Sequence, residues 1–197
     1  MAGGGVLRRV TCSMGVSLDG YITGPDGGFA WTTPDEEVFR SALEEVRGVG
    51  VYLLGRRLYE TMLFWETADQ DPSLDDAMRE FAALWRPLPK VVFSTTPSAV
   101  QGNAQLATSG VAEEIGRWRA ESGHGDIAIG GATLAGEAAA SGLIDEYRLR
   151  VHPVLVGGGT PFFSHDARHV GLGLGLELVD SRTFSSGVIH LRYNIAR

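Results

Sequence analysis

The sequence predicts an α/β domain whose sheet is mixed and mostly parallel, with an antiparallel C-terminal hairpin. Three observations predict it. Short continuous apolar runs, the mark of strands covered on both faces, alternate with segments of helical periodicity. That alternation stops near residue 145, after which apolar residues recur at every second position. Glycine, at 27 of 197 residues, punctuates these segments and pools into no linker. With 44% hydrophobic and 21% charged residues, the chain holds enough apolar material for one core. A single domain over residues 1–197, led by a flexible stretch at 1–5, is therefore expected.

Residues 6–16 are rich in β-formers and poor in turn chemistry, which predicts the first strand. A turn-rich loop through Leu18-Asp19-Gly20 and Gly24-Pro25-Asp26-Gly27-Gly28 follows. Thr33, Pro34 and Glu36 read as N-cap, first helical position and capping-box acid of a helix that aligns Val38, Ala42, Leu43 and Val46. Residues 49–54 form an apolar strand that runs into the turn Gly55-Arg56-Arg57-Leu58-Tyr59-Glu60 and another helix. Ser73 is a candidate cap for a helix carrying Met78, Phe81, Ala82 and Trp85 on one face. Residues 90–94 read as a short strand. Val111, Ile115 and Trp118 mark a further helix ended by Gly123. Residues 126–129 form a strand, and Gly130-Gly131 opens an alanine-rich helix stopped at Gly142. Tyr147, Leu149 and Val151 then alternate with Arg148, Arg150 and His152, and residues 176–184 and 188–196 flank Ser185-Ser186-Gly187 as the hairpin.

Several function classes are excluded or disfavoured. One cysteine, Cys12, leaves no intrachain disulfide and no cysteine-rich zinc module, a deaminase motif included. A formal charge of −7 argues against a nucleic-acid surface, and among 17 basic residues only Lys90 is a lysine, a compositional bias. No run approaches the ~20 apolar residues of a membrane span, and no secretory signal opens the chain. A soluble, cytoplasmic protein acting on a small molecule is expected. Gly131 and Gly136 carry the gap of a P-loop, but Glu137 stands where the phosphate-binding lysine belongs. Gly48 and Gly50 make no dinucleotide fingerprint, and Ser17, Ser94 and Ser141 lie in no nucleophile elbow. His165 and His169 stand four apart without an evident third ligand, so no metal is expected.

Two strand-to-helix turns carry the chemistry. In open α/β sheets ligands bind beyond the carboxyl ends of strands, where helix N-termini offer free amides. At Gly55-Arg56-Arg57, two guanidinium forks oppose the helix dipole unless an anion arrives; the alternative is a pair of solvated arginines. At Ile129-Gly130-Gly131-Ala132-Thr133, bare backbone and a hydroxyl suit a pyrophosphate, or simply start a helix. Asp19 and Glu36 are candidate proton donors if an apolar pocket raises them, though a turn and a helix cap explain both. Trp31, with Phe29, is a candidate wall for a planar heterocycle, and Arg150 and His152 share a strand face able to meet a substrate phosphate.

Taken together, Ser17-Leu18-Asp19-Gly20-Tyr21-Ile22, Leu54 to Glu60, Val92-Phe93-Ser94-Thr95, Ile129 to Leu134, and Leu143-Ile144-Asp145-Glu146-Tyr147 through Gly157-Gly158-Gly159-Thr160-Pro161 resemble the dihydrofolate reductase-like superfamily. The likeness is greatest to the reductase half of the riboflavin-biosynthesis deaminase-reductases and its stand-alone relatives, and it spans the chain. The resemblance implies a three-layer α/β/α domain that binds NADPH and passes a hydride to a heterocyclic or ribosylamino C=N-type acceptor. It implies that Arg56, Arg57, Ser94 and Thr95 hold the adenosine 2′-phosphate beside the turn at Gly55, itself part of the cofactor site, and that Gly130, Gly131, Thr133 and Leu134 hold the pyrophosphate, with a cis peptide often found in the glycine pair. Backbone around Met14, Gly15, Ile22 and Gly24 is expected to meet the nicotinamide. A true dihydrofolate reductase carries an acid in the first helix; here Asp35, Glu36 and Glu37 offer no unique match. A nucleotide-binding or resistance-type module without turnover is the other alternative. The resemblance and the glycine-rich stretch from Gly171 to Leu176 suggest a homodimer.

Overall fold

Eight strands form one sheet, and each is apolar on the faces it must hide. The computed structural model describes residues 8–96, 99–121, 123–163 and 174–196. The strands are β1 (Val10–Ser17), β2 (Val49–Gly55), β3 (Lys90–Phe93), β4 (Ala104–Leu106), β5 (Asp126–Gly130), β6 (Glu146–His152), β7 (Leu176–Thr183) and β8 (Ile189–Ile195), in the order β4-β3-β2-β5-β1-β6-β8-β7. Pairs among β1 to β6 are parallel; β8 joins β6 and β7 antiparallel. The helices are α1 (Glu36–Arg47), α2 (Arg56–Met62), α3 (Asp76–Trp85), α4 (Val111–Ala120) and α5 (Ala132–Ala140).

Burial explains the apolar run of β2. Val51 and Leu53 join Val10, Cys12, Ile127 and Ile129 beneath Ile115 of α4 and Leu134, Ala135 and Ala138 of α5. Leu54 points the other way, into a cluster with Phe39, Leu43 and Val46 of α1, Tyr59 of α2 and Phe81 and Trp85 of α3. A strand covered on both faces needs apolar residues at every position rather than every second one. The result is three layers, helices on both faces of the sheet. The lone lysine is part of this packing: Lys90 Nζ lies 2.7 Å from the Trp85 carbonyl and 3.0 Å from Glu66.

Three local expectations are corrected. Asp35, not Thr33, caps α1 by accepting the Val38 amide at 2.8 Å, while Thr33 Oγ1 turns back to the Ala30 carbonyl. Pro34 therefore precedes the helix, and Glu36 opens it as its first residue instead of sitting three positions after the cap. Asp75 likewise caps α3 in place of Ser73, whose hydroxyl donates to Asp71. In both cases a carboxylate three residues before the amide wins over a neighbouring hydroxyl, because the charged acceptor makes the stronger bond. β4 went without a sequence signal; it is three residues long and largely exposed at the sheet edge. Among the described residues there is no cis peptide, so the glycine pair at 130–131 makes its bend through a φ of +99° at Gly131 instead. The pair His165 and His169, and Gly171 to Gly173 of the stretch tied to a homodimer, lie outside the described residues.

Candidate active site

The carboxyl ends of β2, β3 and β5 bring the two glycine-bearing bends side by side. Leu54 pairs with Gly130 and Gly55 with Phe93, so Gly55, Ser94 and Gly131 leave the sheet along one edge. A Cβ on Gly131 would sit only 3.8 Å from the Gly55 amide nitrogen. Gly130 is glycine for another reason: a Cβ there would lie 2.4 Å from Leu58 of α2. The amides of Ala132, Thr133 and Leu134 open α5, whose first internal bond runs from the Ala135 amide to the Gly131 carbonyl. The Leu134 side chain is core, so it has only backbone to offer here, while Thr133 is exposed. Arg56 is held by Glu60 at 2.7 Å and by Thr96, and Ser94 Oγ donates to the Thr96 carbonyl beside the exposed Thr95. The exposed Arg57 guanidinium has no hydrogen bond or ion pair among the described residues.

β1 supplies the other side of the cleft. Its last pair with β5 is Cys12 with Ile129, so Met14 and Gly15 flank the break at Gly130-Gly131. The loop after β1 is tied to the segment after β6. The Ile22 amide donates to the Thr160 carbonyl at 2.8 Å, the Thr160 amide donates to Thr23 Oγ1, and the buried Gly24 bonds Gly28 at 2.7 Å. Across β1, Ser17 pairs with His152, which is 5% exposed. Trp31 stands edge-on to that ring, centroids 5.7 Å apart at 79°. A Cβ on Gly15 would come within 3.2 Å of His152 Nε2, so glycine leaves the imidazole its room. Burial, with the charge of Arg150, holds the His152 imidazole below its ordinary range, opposed by Asp35.

Arg150, the expected contact for a substrate phosphate, is paired within the fold. Its Nη2 lies 2.6 Å from Glu45 of α1 and its Nη1 donates to Ser13 Oγ. Ser13 donates to Glu45 at 2.7 Å, and His190 Nε2 stands 3.1 Å from the same carboxylate. Burial alone would raise the Glu45 carboxyl, but Arg150, His190 and Ser13 outweigh it and hold it at about 2. A carboxylate so depressed stabilises the fold fully above its unfolded value and loses that contribution as pH falls toward 2. Unfolding free energy is therefore expected to drop by about 3 kcal/mol between roughly pH 4.5 and 2 on this account, and Glu45→Gln should flatten that part of the curve. Urea titrations at stepped pH check this; an equally steep acid limb in the variant contradicts it.

With the sheet order, the paired bends and the cleft in view, residues 8–190 match the family described as the RibD C-terminal domain. The chain belongs to that family. An uncharacterized protein, YyaP of Bacillus subtilis strain 168, is 30% identical over 188 residues, 95% of each chain. A putative riboflavin biosynthesis protein from Shewanella sp. PV-4 is similar in structure, with a TM-score of 0.70 at 20% identity over 96% of this chain and 99% of that one. Dihydrofolate reductase from Enterococcus faecalis, solved with NADP(H), superposes with a TM-score of 0.62 at 16% identity over 96% and 97% of the two chains. The fold is dihydrofolate reductase-like. Among the described residues no helix is long and apolar enough to cross a membrane.

In this RibD C-terminal domain neither expected proton donor sits in an apolar pocket. Asp19 is exposed and accepts from Ser17, Val156 and Gly157, and the Ser17 hydroxyl above all holds its carboxyl below the ordinary range. It ties two loops together as a carboxylate. Glu36 is 72% exposed and pairs with Arg40 one turn on. Glu37 accepts from the Ser185 amide and hydroxyl, and Asp35 is occupied as the cap of α1. Sequence reasoning missed Ser13, Glu45 and His190, because an ion pair between a helix and two strands leaves no trace in local spacing. It named the triple glycine at 157–159 but gave Gly159 no role, and its close approach to Thr23 shows only in the fold.

Proposed function

We propose that the chain is an NADPH-dependent reductase of the riboflavin-biosynthesis type, acting on a heterocyclic or ribosylamino C=N-type acceptor such as 5-amino-6-(5-phosphoribosylamino)uracil. One observation carries this reading: the side-chain-free bend at Gly131 lies against Gly55, with two guanidinium groups and Ser94 and Thr95 on the same edge. The room at Gly131 and the three opening amides of α5 fit a pyrophosphate. Arg56, Arg57, Ser94 and Thr95 fit the adenosine 2′-phosphate, Arg57 with donors free among the described residues and Arg56 by exchanging Glu60 for the anion. Met14, Gly15, Ile22 and Gly24 line the way to the nicotinamide, whose bound contribution is a transferable hydride. The protein's own part is to orient and to exclude water. Family membership and the likeness to an NADP(H)-bound dihydrofolate reductase support the same reading. The first-helix acids speak against a dihydrofolate reductase proper, since Asp35, Glu36, Glu37 and Glu45 are all engaged elsewhere.

Replacing Arg56 and Arg57 together by alanine is expected to weaken NADPH binding about 100-fold, as for two charge-assisted contacts, and NADH binding only slightly. Fluorescence titration with each nucleotide tests it. A parallel loss for both would refute the assignment, and NADPH binding without oxidation across ribosylaminopyrimidines and dihydrofolate would instead favour a module without turnover.

A further inference from the structure

Among the described residues, His152 and Trp31 are ring groups beside Gly15 that the fold leaves without a hydrogen-bond partner. Every carboxylate of α1 that faces the sheet is engaged, and Arg150 is neutralised by Glu45. His152 is buried at the carboxyl end of β6, yet its ring has no hydrogen bond or ion pair among the described residues. Beside it, the buried indole Nε1 of Trp31 also lacks an acceptor. Trp85 and Trp118 share that lack, but a cation lies over each of their rings, Lys90 and Arg8, whereas the ring partner of Trp31 among the described residues is His152. Two unpartnered ring groups 5.7 Å apart, beside a glycine kept open at Gly15, make a built polar corner rather than a packing accident.

We propose that His152 donates the proton that accompanies reduction of the acceptor, while the Trp31 indole N–H holds a heteroatom of the acceptor ring against it. This rests on the reductase reading above. As the carbon of the C=N bond receives the hydride, two electrons from the nicotinamide, the π pair moves to nitrogen, and nitrogen takes the proton from the His152 imidazolium. A C–H and an N–H bond form, the C=N π bond breaks, and His152 reloads from solvent. Among the described residues, the charged groups acting on this ring are Arg150 on its own strand and Asp35 at the start of α1; Gly15 of β1 lies beside its Nε2, and Trp31 stands edge-on to it. The acceptor is thus recognised as a planar ring with one acceptor atom and one protonatable nitrogen.

The test uses His152→Gln and Trp31→Phe with 5-amino-6-(5-phosphoribosylamino)uracil and NADPH. His152→Gln should lower kcat about 100-fold, the low end of general-acid contributions, and remove the fall of kcat with rising pH expected of the wild type. KM for NADPH should stay unchanged, and Trp31→Phe should raise KM for the uracil while keeping the pH profile. Independently of turnover, the uracil added without NADPH should shift the His152 ring signals in the NMR spectrum of the wild type. A His152→Gln variant with wild-type kcat and pH profile overturns the proposal, as do ring signals that ignore the uracil. If that variant does not fold, the NMR shift and Trp31→Phe decide. A wild type that moves the ring signals but oxidises no NADPH overturns the reductase reading, and the proton-donor role with it.

Discussion

Glu146→Ala is expected to destabilise the protein by about 3–5 kcal/mol, the usual consequence of removing one partner from a buried charge cluster. Glu146 opens β6 with its side chain fully buried, and Arg9 and Arg192 lie 3.1 and 3.2 Å from its Oε2. Arg148 binds its other oxygen and is itself 10% exposed. Burial alone would raise the Glu146 carboxyl, but Arg192 and Arg148 outweigh that and keep it ionised. Without the carboxylate, Arg148 keeps Asp126 at 3.1 Å but loses its closest counter-charge inside the sheet. The midpoint of urea unfolding should fall sharply with little change in slope. Because this cluster sits at the amino end of β6 and the cleft at its carboxyl end, NADPH affinity of the folded variant should stay near wild type. An unmoved midpoint would mean that the arginines find other partners.

Gly159→Ala is the second large effect, at about 3 kcal/mol with a loss of NADPH binding. A Cβ on Gly159 would lie 2.1 Å from the Thr23 carbonyl and 2.5 Å from that of Gly24, backbone atoms that no rotamer change can move. Its φ of +115° adds strain of order 1–3 kcal/mol, and forced overpacking a similar amount. Relief requires separating the loop after β1 from the segment after β6, which breaks the bond from Ile22 to Thr160. That loop carries Ile22 and Gly24. Gly157→Ala is the control: its φ is +73°, but a Cβ there meets nothing within 4 Å. Only strain should appear, about 1 kcal/mol, with NADPH binding kept. Equal effects of the two substitutions, read by urea unfolding and nucleotide titration, would remove the close-approach argument.

The layers of this domain were legible because burial writes itself into spacing. β2 and β5 read as unbroken apolar runs, and β6 alternates Tyr147, Leu149 and Val151 with Arg148, Arg150 and His152 because its two faces differ. Helix starts were read less well: a threonine and a serine near Asp35 and Asp75 satisfied the same rule, and only geometry chooses between them. β4 is too short and too exposed to leave a pattern. The two bends were visible as Gly55-Arg56-Arg57 and Gly130-Gly131, since glycine beside a strand end is a local signal.

By itself, the sequence determined the α/β class, the parallel sheet with its antiparallel close, and the glycines and arginines at the strand ends. Those follow from periodicity and backbone freedom, which act over a few residues. Only the tertiary structure decided that Gly55 and Gly131 lie side by side, that Glu45 consumes the charge of Arg150, and that His152 stands beside Trp31 without a hydrogen-bond partner among the described residues. Such outcomes depend on which strands lie next to one another and on where a helix crosses them, and contacts between residues a hundred positions apart have no period to read.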